Sequence, residues 1–211
     1  MALYRDRIYP YFSQWVAGQI GKNPELQDVI QEFVAQAQGN VLEVGVGGGG
    51  NLKLYDPGKV SLVYALDPLP RNLSMARTQS NDVDFEVRFL ECGAEEIPLP
   101  EDSMDTILST FTFCSISDLP AALAEIKRVL RPQGRLLFME HGLAPDKWVR
   151  RWQYLEEPLH KWLFQGCRLT RVIPRDLEDA GFQIHGVLER YLPGGPRPWM
   201  YCWYGIGVTS T

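Results

Sequence analysis

A short apolar segment that runs directly into a cluster of glycines limits the possible folds most strongly. The segment "NVLEVGVGGGG" occupies residues 40–50 and has five glycines among its last six residues. A continuous apolar run that ends in a glycine turn is typical of a buried parallel strand followed by a ligand-binding loop. Gly45, Gly47 and Gly50 also satisfy the G-x-G-x-x-G pattern of dinucleotide-binding folds. The segment therefore predicts the first strand of an α/β sheet.

The patterns along the rest of the chain extend this strand to one open sheet. Apolar residues recur at helical spacing over residues 25–37 and 119–130, and further helices are predicted over 146–165 and 174–180. Between them, strands are predicted over residues 60–67, 85–91, 103–111 and 135–140. Near the end, "IHGVLERYL" and "YCWYGIGVTS" lie too close together for a helical crossover, which indicates an antiparallel hairpin.

These elements predict an open, Rossmann-like α/β sheet of about seven strands. The sheet should be mostly parallel with an antiparallel C-terminal hairpin, and helices should cover both of its faces. In such a sheet, ligands bind at the carboxyl ends of the strands, beside the point where the strand order reverses. The glycine segment should therefore lie at the binding site.

Length and charge exclude several classes of protein. A chain of 211 residues suits one domain over 1–211, and a net charge of -5 without a Lys/Arg block argues against nucleic-acid binding. No run approaches the roughly 18 apolar residues of a membrane span, and the first residues lack a signal-peptide pattern. We therefore expect a cytoplasmic protein with no integral membrane segment. The four cysteines and three histidines lack the spacing of metal ligands, so no metal site is expected.

A carboxylate beside the glycines indicates which ligand the loop binds. Glu43 stands two residues before Gly45, where a pyrophosphate would be repelled by roughly 1 kcal/mol or more at about 4 Å. No Walker-type lysine follows, which excludes a P-loop. A cationic ligand such as S-adenosylmethionine reverses the sign of this interaction. Asp67, at the end of the second predicted strand, suits the two hydroxyls of a ribose.

These motifs resemble those of class I S-adenosylmethionine-dependent methyltransferases. The match comprises E-x-G-x-G-x-G at residues 43–49, Asp67, "GAEEIPLPEDSMDTIL" at 93–108 and "VLRPQGRLLFMEH" at 129–141. Gly93 or Ala94 occupies the position of the family's adenine-binding acid, so Glu95 is expected to replace it. The resemblance implies S-adenosylmethionine as the cofactor. It also implies contacts from Glu43, Gly45, Val46, Gly47, Gly49, Asp67, Pro68, Gly93, Ala94, Glu95, Thr110 and Tyr11.

A closer resemblance is to the methyltransferase-like-seven group, the membrane-associated alkyl-thiol methyltransferases. The most specific segment is "EEPLHKWLFQGCRLTRVIPRDLEDAGF" at 156–182, and the sequence departs from the group in lacking an N-terminal anchor. The resemblance implies a small-molecule methyl acceptor, with an apolar thiol as the first choice. A quinone or phenol C- or O-methyltransferase remains open, as does a non-catalytic S-adenosylmethionine-binding protein. A nicotinamide enzyme is disfavoured by Glu43.

Two histidines are the candidate catalytic bases. His141 ends the fifth predicted strand, and His160 lies in the helical segment 146–165. The family places its variable substrate cap here, so residues 143–173 are expected to cover the acceptor. The apolar face of the 146–165 helix is interpreted as part of a lid, with contact to a membrane surface as the alternative. Residues 1–24, which include Tyr11, are expected to close over the cofactor.

Overall fold

The strands form one seven-stranded sheet in the order β3-β2-β1-β4-β5-β7-β6. The computed structural model describes residue 18 and residues 22–209. The strands are β1 Gly39–Val44, β2 Val60–Leu66, β3 Glu86–Leu90, β4 Met104–Thr110, β5 Leu130–His141, β6 Phe182–Tyr191 and β7 Tyr201–Thr209. β1 to β5 pair in parallel, whereas β7 runs antiparallel to β5 and β6. The predicted α/β sheet and its antiparallel C-terminal pair are confirmed.

The helices divide between the two faces of the sheet. They are α1 Pro24–Val34, α2 Pro70–Gln79, α3 Leu119–Val129, α4 Lys147–Leu163, α5 Ile173–Asp179 and α6 Arg197–Met200, with short 3-10 turns at Leu52–Leu54 and Ser80–Asp82. Residues of α1 and α2 pack in the core on one face, and residues of α3 and α5 pack in the core on the other. Because both faces are covered, most residues of β1 and β4 are buried, including the polar residues Glu43, Thr106 and Ser109.

Polar residues and prolines start the two helices that flank the central strands. Asn23 Oδ1 accepts the backbone N–H of Leu26, and Asp118 Oδ1 accepts that of Ala121, so each side chain satisfies an otherwise unpaired donor. A proline follows in the first turn of both helices, where its missing N–H costs nothing. These local signals fix where the chain turns back onto the sheet.

The fifth strand begins earlier than the sequence predicts. Residues "RPQG" after α3 indicate a loop before a strand at 135, yet β5 starts at Leu130. The register changes from Met104 opposite Leu130 to Thr106 opposite Arg135, so residues 131–134 are accommodated as an irregularity of the strand pair. The Arg131 guanidinium pairs with the Asp105 carboxylate across this irregularity. Pro132 and Gly134 therefore interrupt the ladder without ending the strand.

β1 lies between β2 and β4, so the strand order reverses at its carboxyl end. The loops after β1, β2, β4 and β5 consequently meet along one edge, which is where an open α/β sheet binds its ligands. Among the described residues, no helix is long and apolar enough to cross a membrane.

Candidate active site

The glycine loop after β1 needs glycine at several positions. Gly45, Gly47 and Gly49 have φ values of +74°, +54° and +83°, a region that side chains disfavour. A Cβ at Gly45 would lie 2.3 Å from Thr112 Oγ1, and one at Gly49 would lie 2.9 Å from the Ala76 Cα. Gly47 meets nothing closer than 4.0 Å, so its conformation alone demands glycine. The loop is packed on both flanks and open at its centre.

The loop is tied to the end of β2 by backbone and side-chain contacts. The N–H groups of Gly45 and Val46 donate to the Leu66 carbonyl at 2.8 and 3.0 Å. Gly47 N–H donates to Asp67 Oδ2 at 3.0 Å. The two predicted features, the glycine loop and the acid after β2, are thus in direct contact.

Asp67 is buried and fully engaged within the protein. In addition to Gly47, its carboxylate accepts the Leu69 N–H at 2.9 Å and the Asn72 amide, which lies 3.1 Å from each oxygen. Pro68 follows it at the surface. These donors account for the lone pairs of the carboxylate.

Glu43 lies inside the protein rather than on the surface of the cleft. It is 1% exposed, and its oxygens accept hydrogen bonds from Asn51 Nδ2 at 2.9 Å and Tyr55 Oη at 2.8 Å. Burial raises the pKa of Glu43 to about 7, although both hydrogen bonds oppose this. Asn51 Nδ2 also donates to Thr110 Oγ1 at 2.9 Å. The carboxyl therefore holds the far end of the glycine loop against the end of β4.

The loop after β3 lies beside Asp67, because the Asp67 N–H donates to the Leu90 carbonyl at 3.1 Å. Ala94 is buried, and Glu95 is exposed. Glu95 Oε2 approaches to 2.6 Å from where a Cβ of Gly93 would lie. The predicted adenine-side residues are thus at the same edge as the ribose-side acid. Tyr11 and most of the predicted covering segment 1–24 lie outside the described residues.

A second buried carboxyl, Glu140 near the end of β5, was missed by the sequence reasoning. It accepts Ser109 Oγ at 2.7 Å, the Thr112 N–H at 3.0 Å and the Cys114 N–H at 3.4 Å. Burial raises the pKa of Glu140 to about 7. It fixes the turn after β4. The signal was present, since Glu140 interrupts the apolar run "LLFME" as Glu43 interrupts "VLEV".

The two candidate histidines share one neighbour, Trp199. The His160 ring lies 5.2 Å from the Trp199 ring and 4.4 Å from that of Phe164. The His141 ring packs on Phe111 at 4.7 Å, and a hydrogen bond to the Trp199 backbone acts on its pKa. The structure therefore brings His141 at the end of β5 close to His160 in α4, although the two residues are 19 positions apart in the sequence.

Burial leaves both imidazoles uncharged at neutral pH. Burial lowers the pKa of His160 to about 4. It also lowers the pKa of His141, and the nearby His160 lowers that pKa further by a smaller amount. Within the described part of the chain, His160 Nδ1 is a buried polar atom without a hydrogen-bond partner. An unpaired buried nitrogen of this kind is available to a bound molecule.

Two cysteines from distant segments meet beside the histidines. Cys114, after β4, and Cys167, after α4, are both buried free thiols with their sulfurs 3.2 Å apart. The contact with Cys114 lowers the pKa of Cys167, and the same contact together with burial raises the pKa of Cys114. Arg171 adds a second link between these segments by donating to the carbonyls of Phe113 and Ile116.

The inward face of α4 is anchored by a glutamine that the sequence reasoning did not single out. Gln153 is buried and donates to the carbonyls of Gly142 and Pro198, each at 2.9 Å, while its Oε1 accepts the Ala144 N–H at 2.9 Å. Its polar side chain lies on the buried side of the helix with Val149 and His160. This placement at i, i+4 and i+11 was the available sequence signal.

Comparison with known proteins identifies the kind of site that this geometry represents. A methyltransferase-domain family model matches residues 42–138. The chain is 37% identical over 166 residues to the human thiol S-methyltransferase TMT1B, covering 76% of the chain and 65% of that protein. The alignment with mouse TMT1B is 33% identical and covers 90% of the chain and 83% of that protein. The chain thus spans slightly less than two thirds of the human relative.

More distant matches cover about half of the chain in sequence or share its fold. A demethylmenaquinone methyltransferase of Thermus thermophilus is 34% identical over 111 residues, covering 52% of the chain and 50% of that protein. A possible histamine N-methyltransferase of Thermotoga maritima has a solved structure that superposes with a TM-score of 0.70 at 20% identity, over 100% of both chains. At that identity the superposition establishes the methyltransferase fold. The domain match and these neighbours support S-adenosylmethionine as the cofactor.

Proposed function

Because the chain belongs to the family of the thiol S-methyltransferases, we propose that it transfers a methyl group from S-adenosylmethionine to the sulfur of a small apolar thiol. The observation that carries this choice is that both candidate bases are packed against aromatic rings, His141 on Phe111 and His160 between Phe164 and Trp199, where burial lowers their pKa values. An alcohol or carbon acceptor needs a firm general base, whereas a thiol, with a pKa of about 8.5, is partly ionised without one.

We assign the cofactor to the loops after β1, β2 and β3. Asp67 would accept the ribose hydroxyls in place of the Asn72 amide, which now lies 3.1 Å from both of its oxygens. The open centre of the glycine loop at Gly47 and the exposed Glu95 would flank the remaining parts of the molecule. Glu43 would act on the cofactor through Asn51 rather than by direct contact, because its two oxygens are already paired.

The bound cofactor supplies an electrophilic methyl group, so the protein has mainly to align the acceptor and exclude water; such alignment is worth about 7–11 kcal/mol. His160 would orient the acceptor through its unpaired Nδ1, and the packed rings of Phe164 and Trp199 would exclude water around it. Residues 143–173 would form the cap, held to the loop after β5 by Gln153. We place this reaction in the cytoplasm. Nucleic acid is not the expected acceptor, since the chain carries a net charge of -5.

A quinone or phenol methyltransferase is the second candidate, since the chain is 34% identical over 111 residues to the Thermus thermophilus demethylmenaquinone methyltransferase. Such a reaction would need a base, and the carboxyls of Glu43 and Glu140 have pKa values raised to about 7. Their oxygens, however, accept hydrogen bonds from protein donors. Because these oxygens are already hydrogen-bonded within the protein, neither carboxyl is free to act as the base that a quinone or phenol acceptor needs, which favours a thiol acceptor.

The test is the pH dependence of methyl transfer to two thiols of different acidity, followed by release of S-adenosylhomocysteine. Each rate should rise towards the pKa of its own thiol, so the two profiles should be displaced from one another. His160→Ala should lower the rate by about 10- to 100-fold, less than the loss of an indispensable base. His185→Ala, on the exposed surface of β6, should leave the rate unchanged.

Other outcomes separate the competing functions. Coincident profiles for the two thiols would show that an enzyme group titrates and would contradict the absence of a base. Turnover of a phenol or quinone without turnover of any thiol would establish the second candidate. Calorimetric binding of S-adenosylmethionine without turnover of any acceptor would indicate a non-catalytic binding protein, and preference for NAD would contradict the cofactor itself.

A further inference from the structure

The outward face of α4 carries a row of large apolar side chains. Trp148, Trp152, Leu155 and Leu159 follow one another at intervals of four, three and four residues, which places them along one side of the helix. Their exposed fractions are 66%, 39%, 70% and 59%, and the rings of Trp148 and Trp152 contact each other at 5.5 Å. The row extends over about 16 Å of helix. We call it the α4 row.

Single exposed apolar residues are ordinary on protein surfaces, but a continuous row marks an interaction site. The α4 row does not serve the packing of the helix. That function belongs to the opposite side, where Val149, Gln153 and His160 are buried. The packing of the described residues therefore does not account for the α4 row.

The charges around the row identify the kind of surface that fits it. Lys147 and Arg151 are exposed on one flank of the row. The carboxylates of α4, Glu156 and Glu157, are half-buried and turned towards the protein.

These two carboxylates already have partners within the protein. Glu156 accepts Trp199 Nε1 at 2.8 Å, and Glu157 accepts the Thr170 N–H at 2.9 Å. In a chain of net charge -5, the outward side of α4 is thus apolar with cations on one flank, and Asp146, the exposed carboxylate that precedes the helix, is paired with Tyr191 and Arg197.

This combination matches the physical requirements of an anionic bilayer surface. Tryptophan prefers the boundary between lipid headgroups and acyl chains, and cations beside an apolar face are attracted by anionic lipids. A second copy of the chain fits less well, because a symmetric contact between two α4 rows would bring their cations together. Pro158 also interrupts the backbone ladder of the helix, which is tolerated at a hydrated interface.

We propose that α4 is a peripheral membrane-docking helix, which lies in the plane of an anionic bilayer with the α4 row inserted among the headgroups. Docking through α4 needs neither a spanning helix nor a particular methyl acceptor. It is therefore independent of the proposed function.

The test is flotation of the full chain with vesicles of phosphatidylcholine alone or of phosphatidylcholine mixed with phosphatidylglycerol. The protein should float with the mixed vesicles and should be released by high salt. The double variant Trp148→Ser with Leu155→Ser should bind the mixed vesicles at least about tenfold more weakly than the wild type. The matched control, Val187→Ser with Leu188→Ser, removes exposed apolar residues from β6 and should bind as the wild type does.

Reversal of charge supplies a second variant. Lys147→Glu with Arg151→Glu should abolish the preference for the mixed vesicles while leaving the melting temperature unchanged, because both side chains are exposed. The proposal is overturned if the wild type fails to float with either vesicle. It is also overturned if the α4 variants float as the wild type does, or if the α4 row instead holds two copies together in solution, seen as a dimer that the double serine variant converts to a monomer.

Discussion

The buried carboxyl of Glu43 should make the stability of the protein fall as the pH rises towards neutrality. Its pKa is raised from 4.5 to about 7 in the folded chain. Below pH 4.5 the folded and unfolded states are both protonated, so the group contributes nothing to the pH dependence. Between these two values the unfolded state loses the proton that the folded state retains, and the free energy of unfolding decreases. Above pH 7 the full difference is reached.

The magnitude follows from the size of the shift. Each unit is worth about 1.4 kcal/mol, so the full effect is on the order of 3 kcal/mol, and most of it falls between pH 5 and 8. Glu43→Gln removes the titration while keeping the shape of the side chain. The stability of this variant relative to the wild type should therefore rise by roughly 2–3 kcal/mol across that interval, whatever its absolute offset.

The measurement is urea unfolding of both proteins without cofactor at half-unit steps from pH 5 to 8. Glu178→Gln, on the exposed surface, controls for the loss of one negative charge. Glu140→Gln should show the same trend as Glu43→Gln, because burial raises its pKa to a similar value. A difference between Glu43→Gln and the wild type that does not change with pH would refute the reasoning. It would mean that the carboxyl ionises in the folded protein as it does in water.

Two further predictions concern the cofactor loop. Asp67→Ala should weaken S-adenosylmethionine binding by about 1.5–3 kcal/mol, as for hydrogen bonds to a charged group, whereas Asp84→Ala at an exposed position should not; unchanged affinity in a calorimetric titration would contradict the assignment of Asp67. Gly45→Ala should lower the free energy of unfolding by about 1–3 kcal/mol, because it combines a positive φ with a contact to Thr112. Gly50→Ala meets nothing within 4 Å and should be tolerated in the same urea titration.

The sheet was predictable from the sequence because its strands have distinct periodicities and lie close to one another along the chain. Short runs that are mostly apolar, such as 60–66, are typical of strands in a sheet covered on both faces, and the glycine turn indicates which of them comes first. The start of β5 was not predictable. Pro132 and Gly134 are strong signals for a loop, and only the pairing of Leu130 with Met104 shows that the strand continues past them.

The candidate site was predictable where a residue and its partner are close in sequence or lie at strand ends. Asp67 and the glycine loop meet as expected, because adjacent parallel strands end at the same edge. The contact between Cys114 and Cys167 could not be inferred, since 53 residues separate them and no short motif links them. The unpaired Nδ1 of His160 was equally hidden, because it depends on which side of α4 the body of the protein covers.

The role of Glu43 shows why residue type alone is insufficient at such a site. The sequence predicts that the charge of Glu43 acts directly on the ligand, but Asn51 and Tyr55 enclose the carboxyl. Glu140 is its counterpart two strands away, on β5, and β4 lies between them. The Asn51 amide joins Glu43 to Thr110, and Glu140 accepts the hydroxyl of neighbouring Ser109.

The end of β4 is therefore held from both sides by carboxyls whose pKa values lie at about 7. Ionisation of either one leaves its hydrogen-bond donors in place but puts a charge into a buried setting, which is unfavourable for the folded protein. The turn that begins at Thr110 leads to Cys114, beside Cys167 and the two histidines. The segment that carries the proposed acceptor site thus starts from a strand end that two buried carboxyls hold in place.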